Sequence, residues 1–572
     1  MADEPLLEKI ILKHALKNAF DYGKASPGNL VGKVIGAAPQ AKADMKSLMQ
    51  KINEIVGTVN SYSKQQLESE MKNFIYEIKA EEEKKLELPD AVQGQVITRF
   101  PPEPNGYPHI GHAKAAWLDC EAAKAYGGKF ILRFDDTNPE KEKQEYVDAI
   151  IYWLTWLGIK PDGPILFASD FMPQLIGYAD TLIATGNAYV CTCALEEAKK
   201  NRFEGKECVC KSASESETMA AWAKLLSGEF SRGQASLRIK ADMKSQNTAM
   251  RDPTIFRSIT SPHYRQGSKY KVWPTYDFQA PILDSLNGVT HAMRTKEYEL
   301  RDELYYFVLD RLQLRKPLLV EFSRLAIKNA PISKRLLAPL ISEKKVWGWD
   351  DPRLPTLAGL ARRGIKPQAI KNFVLSFGIS KVESEPSWDK LLHENKKLID
   401  PIARRLFFVA NPARLCISGY HSHTASLPNH PKSDLGSRQV SCDGNFYVSG
   451  ADAAKFSAGE KVRLKGDCNF IVGENANGVT NASFDESAEL PKKIIHWVAM
   501  SDAVPCKVFV LHDLLLDDGE TFNEKSMEVV EGFVESAANS LKIGETVQFE
   551  RFGFCTLDRK TPDALEFIFS HP

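Results

Sequence analysis

Residues 95–112 read QVITRFPPEPNGYPHIGH and residues 129–136 read KFILRFDD. Each begins as a short β-rich run. The first breaks into a Pro/Gly loop and resumes as a helical pattern from His112 to Tyr126. The second leads into a helical pattern from Glu145 to Leu157. Strand, helix, strand, helix is the signature of a parallel sheet with crossover helices. A further helix is expected over about 173–185. Mixed short elements then run to about Lys271, after which VWPTYDFQAPILDSLNGVTHAMRT (272–295) resumes the rhythm. The sheet is therefore read as interrupted by an inserted domain, roughly 195–270, within a unit spanning 93–330.

Outward from this unit the character changes twice. Residues 1–90 read as a helical extension, with apolar positions at helical spacing in LLEKIILKHALKNAF and at Leu67, Met71, Phe74, Ile75 and Ile78. The Gly/Pro/Ala-rich stretch Ala25 to Ala43 reads as a loop, and the charge run Glu81 to Lys85 as a solvated end. Residues 331–410 are helix-rich, with AGLARRGIKPQAIKNFVLSFGI the clearest pattern. From 411 to 572 short runs such as NFYVSG, EKVRLKG and KIIHWVAM alternate with Gly, Asp and Asn turns, which predicts one or two β-barrels.

With 572 residues the chain is too long for one domain at roughly 100–200 residues each. Its 43% hydrophobic and 26% charged content exclude a disordered chain or a small disulfide scaffold. Lys+Arg and Asp+Glu both number 74, so no global basic field advertises a nucleic-acid partner, and any such partner must meet local patches. No apolar run of about 18 residues occurs, so no membrane partner is expected. MADEPLLEKI lacks the basic start and apolar core of a secretory signal. Four of the ten cysteines fall between Cys191 and Cys210, which suggests a reducing compartment and one metal site rather than a disulfide framework.

The loop after the first strand ends in His109-Ile110-Gly111-His112. Histidines three apart at a helix start share one side of it, Gly111 leaves room against the backbone, and a helix N-terminus favours anions. Two imidazole donors there can bind phosphate oxygens. Alone, the pattern fits two capping histidines equally well. Far downstream, Ala330-Pro331-Ile332-Ser333-Lys334-Arg335 offers a short basic loop suited to a leaving pyrophosphate.

Together, TRFPPEPNGYPHIGHAKAAWLD, ILRFDDTNPEKE and the 330–335 loop resemble the class I aminoacyl-tRNA synthetases, more narrowly their glutamyl/glutaminyl branch. WGWDDPRLPTLAGLARRGIKPQAIKNFVLSFG and the β-rich last third are similar to the archaeal and eukaryotic form. The resemblance covers about 93–572. It implies a multidomain α/β chain: a HIGH-type Rossmann catalytic domain (93–330) with an acceptor-stem-binding insertion (195–270), a helical connecting domain (331–410), a β-barrel anticodon-binding region (411–572) and an N-terminal helical extension (1–90). It implies a cytoplasmic ligase, by family default a monomer. The reaction joins L-glutamate to tRNA(Glu) through an acyl-adenylate, using ATP and Mg²⁺, and tRNA(Gln) stays open as a second acceptor. His109, His112 and Lys334 are then the catalytic residues. Pro102, Gly111, Ser333 and Arg335 join them around ATP. The family loop usually carries another basic residue where Leu336 stands here.

Arg99 matches the family arginine that meets the substrate carboxylate, Asp135 the acid that receives the α-amino group, and Tyr276 a substrate-contacting tyrosine. Arg294 matches the arginine that faces the side-chain carboxylate in glutamyl enzymes and is missing in glutaminyl ones. A buried carboxylate needs such a partner, whereas glutamine leaves the guanidinium unpaired. The plainer alternatives are an ion pair at the sheet edge for Arg99 and Asp135, and solvent or Glu297 for Arg294.

Cys191-x-Cys193 and Cys208-x-Cys210 can close a tetrahedral, structural Zn²⁺ site or form a metal-free cluster, and both readings stay open. Arg353, Arg362, Arg363, Lys366 and Lys371 offer local cations for an RNA backbone. Phe446, Tyr447, Phe470, Trp497, Phe549 and Phe552 are aromatics of the barrel region, expected mostly in its core. The competing functions are a glutaminyl-tRNA ligase, a non-catalytic tRNA-binding homologue and an adenylyltransferase that uses no tRNA. The intact histidines and Lys334 disfavour the second, and the long β-rich third disfavours the last.

Overall fold

The computed structural model describes residues 4–22, 24–71, 73–74, 86–331, 333–383, 385–476, 478–487 and 490–572. The chain divides into two compact units, Met1–Lys84 and Lys85–Pro572. The first holds α1 (Glu4–Tyr22), α2 (Pro27–Ala37), a 3₁₀ turn (Pro39–Asp44), α3 (Met45–Asn60) and α4 (Lys64–Met71). Ile11, Leu16, Leu30, Val34, Leu48 and Ile52 form its core. The stretch expected as a loop is thus mostly helical. Pro27 opens α2, where its missing N–H costs nothing, and Leu30 and Val34 lie one turn apart, both fully buried. Burial of that pair outweighs the glycine content. Ile75 and Ile78 lie outside the described residues, as does the charge run.

The second unit opens with β1 (Ile97–Phe100), α5 (Ile110–Ala125), β2 (Lys129–Phe134), α6 (Gln144–Leu157) and β3 (Leu166–Phe167). β1, β2 and β3 are parallel neighbours in that order, with Arg99 opposite Ile131. The turn between α5 and β2 requires glycine, since a Cβ on Gly128 would stand 2.0 Å from the Val96 carbonyl oxygen. Next come α7 (Met172–Ala184), β4 (Ala188–Cys191), α8 (Leu195–Glu204), α9 (Glu215–Ser227), β5 (Ser236–Ile239), β6 (Thr254–Ser258) and β7 (Val272–Pro274). β4 to β7 form an antiparallel sheet with its own core around Trp222, Phe256 and Trp273. This sheet reaches beyond 195–270 at both ends, because its outer strands read in sequence as part of the flanking rhythm.

The parallel layer resumes with α10 (Tyr276–Leu286), β8 (His291–Thr295), α11 (Asp302–Arg311) and β9 (Leu318–Phe322). Thr290 lays β8 beside β1: its hydroxyl accepts the Ile97 N–H at 2.8 Å and its own N–H donates to the Ile97 carbonyl at 2.9 Å. The carboxyl ends of β1, β2, β8 and β9 therefore share one edge, the edge where such sheets bind ligands.

The helical segment follows as α12 (Lys334–Ser342), α13 (Leu357–Arg362), α14 (Pro367–Leu375) and α15 (Trp388–Ile399). Two seven-stranded sheets complete the chain. The β region starts at Arg405, ahead of residue 411. In one sheet the two edge strands are Arg405–Leu406 and Phe408–Ala410, separated only by Phe407. In the other they are Ile494–Ile495 and Trp497–Ala499, separated only by His496. Edges joined through a single residue must meet, so each sheet curls into a nearly closed barrel. Among the described residues no helix is long and apolar enough to cross a membrane.

Candidate active site

The loop leaving β1 enters α5 at His109, which has extended backbone angles (φ −133°, ψ 178°). His109 Nδ1 accepts the Gly111 N–H at 3.1 Å, and His112 Nδ1 accepts the His109 N–H at 3.2 Å. With both Nδ1 atoms accepting, the neutral rings carry their protons on Nε2. Burial keeps them neutral: His112 is pushed down to about 4, and His109 falls well below its usual value, with His112 and Arg324 adding to burial. The ring centroids are 4.0 Å apart. A Cβ on Gly111 would stand 2.9 Å from His109 Cε1, so glycine is what lets the ring lie against the helix start. The turn is clamped from the segment entering α13: Ile110 N donates to the Pro355 carbonyl and Leu357 N to the Pro108 carbonyl, both at 2.9 Å. Two Nε2–H donors at a helix N-terminus suit an oxyanion.

Asp284, near the end of α10, organises the floor of the cleft. Its fully buried Oδ1 lies 2.9 Å from both Arg99 Nε and Arg133 Nη1, while Oδ2 accepts Arg99 Nη2 at 3.1 Å and the Tyr305 hydroxyl at 2.9 Å. Burial alone would raise the Asp284 carboxyl, yet the two guanidiniums hold it below its usual value. Arg99 Nη1 donates to the Met293 carbonyl at 2.7 Å, so three of its N–H groups are engaged inside the protein. Arg133 Nε donates to Asp135 Oδ1 at 2.9 Å, and the Asp135 N–H reaches the carbonyl of buried Pro102 at 3.1 Å. Asp135 Oδ2 is buried with no partner among the described residues.

Arg294, on β8, is 6% exposed. Its Nη2 pairs with Asp302, its guanidinium lies 5.4 Å from the Tyr305 ring centroid, and its Nε is buried without a partner. Glu297, the alternative partner, goes to Arg324 instead. Tyr276 joins the two halves of the cleft. Burial holds its hydroxyl at about 12, with Arg99 and Arg294 both pulling it down, and its ring is 5.0 Å from Tyr298, which feels Asp135. Sequence reasoning missed Asp284 and Arg133. The available signal was a charge inside each apolar run, QAPILDSL and KFILRF.

At the basic loop, the Ser333 hydroxyl accepts the Leu336 N–H at 3.4 Å and starts α12, and Arg335 is exposed. Ile332 and the side chain of Lys334 lie outside the described residues. The four cysteine sulfurs of 191, 193, 208 and 210 all lie within 4.8 Å of one another. The expected RNA-facing cations are mostly engaged internally. Arg353 is buried against Asp351, Arg362 pairs with Asp558 and Asp350, Arg363 donates to the Ser570 carbonyl, and Lys371 pairs with Glu121. Of the aromatics, Phe446, Phe470, Trp497 and Phe549 are core, while Tyr447 and Phe552 are half-buried.

Residues 95–401 match the family described as tRNA synthetases class I (E and Q), catalytic domain, and residues 403–485 and 494–558 match two anti-codon binding domains of the same class. The chain belongs to this family of class I synthetases. A glutamate–tRNA ligase of Nitrosopumilus maritimus (strain SCM1) is 43% identical over 98% of each chain. One of Cenarchaeum symbiosum (strain A) is 42% identical over 95% of this chain and 96% of its own. A crystal structure of glutamate-tRNA synthetase from Elizabethkingia anophelis aligns with 54% of this chain and 71% of its own, at 20% identity and TM-score 0.41.

Proposed function

We propose that this chain ligates L-glutamate to tRNA(Glu) through a glutamyl-adenylate formed from ATP. The observation that carries the reading is a pair of buried, unpartnered atoms of opposite character linked by the Tyr276–Tyr298 ring pair: an acceptor, Asp135 Oδ2, and a donor, Arg294 Nε. An α-ammonium group and a side-chain carboxylate on one small molecule satisfy both. Leaving such groups unmet is costly, and a side-chain carboxylate meets the Arg294 edge with a charge-assisted bond that a neutral amide lacks. Asp302 takes only one limb of Arg294, so the Nε edge remains for substrate. Tyr276 borders the same space, and Arg99 acts through the N–H groups that Asp284 and Met293 leave over.

The substrate α-carboxylate attacks the α-phosphate of ATP, and pyrophosphate leaves. His109 and His112 donate Nε2–H hydrogen bonds to phosphate oxygens and stay neutral, Gly111 and Pro102 shape the loop, Ser333 and Arg335 line the ATP site, and Lys334 neutralises the departing pyrophosphate, whose charge a bound Mg²⁺ would share. The tRNA 2′-hydroxyl then attacks the acyl carbon, loses its proton and displaces AMP. For the cysteines, a zinc–sulfur bond of about 2.3 Å gives a tetrahedron edge of about 3.8 Å. The Cys191–Cys208 and Cys193–Cys210 sulfur pairs are both 3.8 Å apart, and Arg238 Nη1 stands 3.8 Å from the Cys191 sulfur, where it offsets thiolate charge. These residues would hold a structural Zn²⁺. Family resemblance, rather than any feature of the fold, supports a cytoplasmic monomer.

Aminoacylation with radiolabelled glutamate and glutamine on purified tRNA isoacceptors tests the reading. Glutamate is expected on tRNA(Glu), and the same assay reports whether tRNA(Gln) is charged. Pyrophosphate exchange supported by glutamine but not glutamate overturns the proposal.

A further inference from the structure

The residue after Asp135 is held more tightly than Asp135 itself, by atoms from outside the parallel sheet. Asp136 is fully buried. Its carboxylate accepts the Ser169 N–H and the Ser169 hydroxyl, both at 2.8 Å, and the Tyr264 hydroxyl at 2.9 Å. Its backbone carbonyl lies 3.0 Å from His263 Nε2. His263 Nδ1 accepts the N–H groups of Arg265 and Gln266 at 3.1 Å, so Nε2 carries the proton and donates to that carbonyl. His263 and Tyr264 belong to a tight turn between β6 and β7, closed by paired backbone bonds between His263 and Gly267 at 2.9 and 2.8 Å. The His263 ring stacks on Trp273 of β7 at 4.7 Å, inside the core of the insertion. Beyond it, Arg265 and Gln266 bind Asp170 at 2.8 and 2.9 Å. Two residues past Asp136, the Asn138 N–H donates to Glu142 at 2.8 Å, which pins the far end of the same segment.

We propose that this turn is a positioning device for the amino-acid site. His263 and Tyr264, supplied by the insertion, fix Asp136 and so set where Asp135 presents its free oxygen. Strand β2 has ended at Phe134; the Pro102 carbonyl and Arg133 hold Asp135 on its near side, and on its far side its backbone direction follows the peptide it shares with Asp136. His263 and Tyr264 touch no substrate; they act through Asp136. The inference rests on the reading of Asp135 as the acceptor of the α-ammonium group.

The readout is the preference of the full chain for L-glutamate over glutarate, the same diacid without the ammonium group, measured as competing inhibition of aminoacylation with tRNA present. Tyr264→Phe removes one hydroxyl and is expected to lower that preference roughly tenfold, about what one charge-assisted hydrogen bond is worth, with KM for ATP unchanged. Ser169→Ala, which loosens Asp136 from the opposite side, is expected to act in the same direction and serves if Tyr264→Phe fails to fold. Asp135→Asn is expected to erase most of the preference. If it does not, both the reading of Asp135 and this inference fail. If Asp135→Asn erases the preference while Tyr264→Phe and Ser169→Ala leave it intact, or weaken glutamate and glutarate equally, the positioning role alone is overturned.

Discussion

Asp284→Asn is the sharpest test of the cleft floor. The substitution keeps shape and one acceptor but removes the carboxylate charge shared by Arg99 and Arg133, all three side chains being at most 1% exposed. With charge centres about 4 Å apart and an effective dielectric near 20, each attraction is about 4 kcal/mol. Arg133 retains Asp135, and the asparagine oxygen still accepts, so the expected net loss is about 3–5 kcal/mol, typical of breaking a buried pair from one side. With a urea m-value of about 3 kcal/mol/M, the unfolding midpoint of the catalytic unit falls by about 1–2 M. A chain of several domains does not unfold in one step, so hydrogen exchange of β1 and α10 amides is the matched probe. Adding Arg99→Met should recover part of the loss, because it removes the stranded cation. A single-variant effect below about 1 kcal/mol refutes the account of Asp284 as the hub of this core.

Three other outcomes follow from the site. His112→Ala should lower kcat for aminoacylation about 10²–10³-fold, the usual effect of deleting one preorganised donor, with Tm little changed; kcat within threefold of wild type contradicts the donor role. His112 is held at about 4 against 6.5 in the unfolded chain, so as pH falls the unfolded chain takes the proton first. Its contribution is intact above pH 6.5 and is lost towards pH 4, by up to about 3 kcal/mol. Wild type should therefore lose that much relative to His112→Gln across the window, and a pH-independent difference in urea midpoint would count against it. Metal analysis should find one zinc per chain, falling well below one in Cys208→Ser, and stoichiometric zinc in that variant rules the four-sulfur site out.

The paired-imidazole turn and the parallel sheet were legible in sequence because both are local. A strand of four residues, a Pro/Gly loop and a helix start are neighbours along the chain, and His109 and His112 need only one helical turn to meet. Asp284 was not legible, because its meaning lies in Arg99 and Arg133, which come to this helix residue from strands β1 and β2. The cations at 353, 362, 363 and 371 show the same limit. Sequence displays their charge, while Asp351, Asp558, the Ser570 carbonyl and Glu121 decide that this charge faces inward. Arg294 could be singled out by position, but its partner Asp302 sits on the next helix rather than at Glu297. Helix α2 was hidden by composition: three glycines and a proline in PGNLVGKVIGA outvote Leu30 and Val34 until the contacts of α1 and α3 are known.

The two barrels are nested in the chain. The strands of one run from 412 to 499, while the other takes 405–410 from before that block and 503–571 from after it. Emerging from a ribosome, the inner barrel has all its strands while the outer has only two short ones, Arg405–Leu406 and Phe408–Ala410. The first of these pairs with Thr546–Phe549, which emerges only after every strand of the inner barrel is out. The outer barrel therefore closes after the inner one, beside a neighbour whose strands are already complete, and until then its early strands wait unpaired.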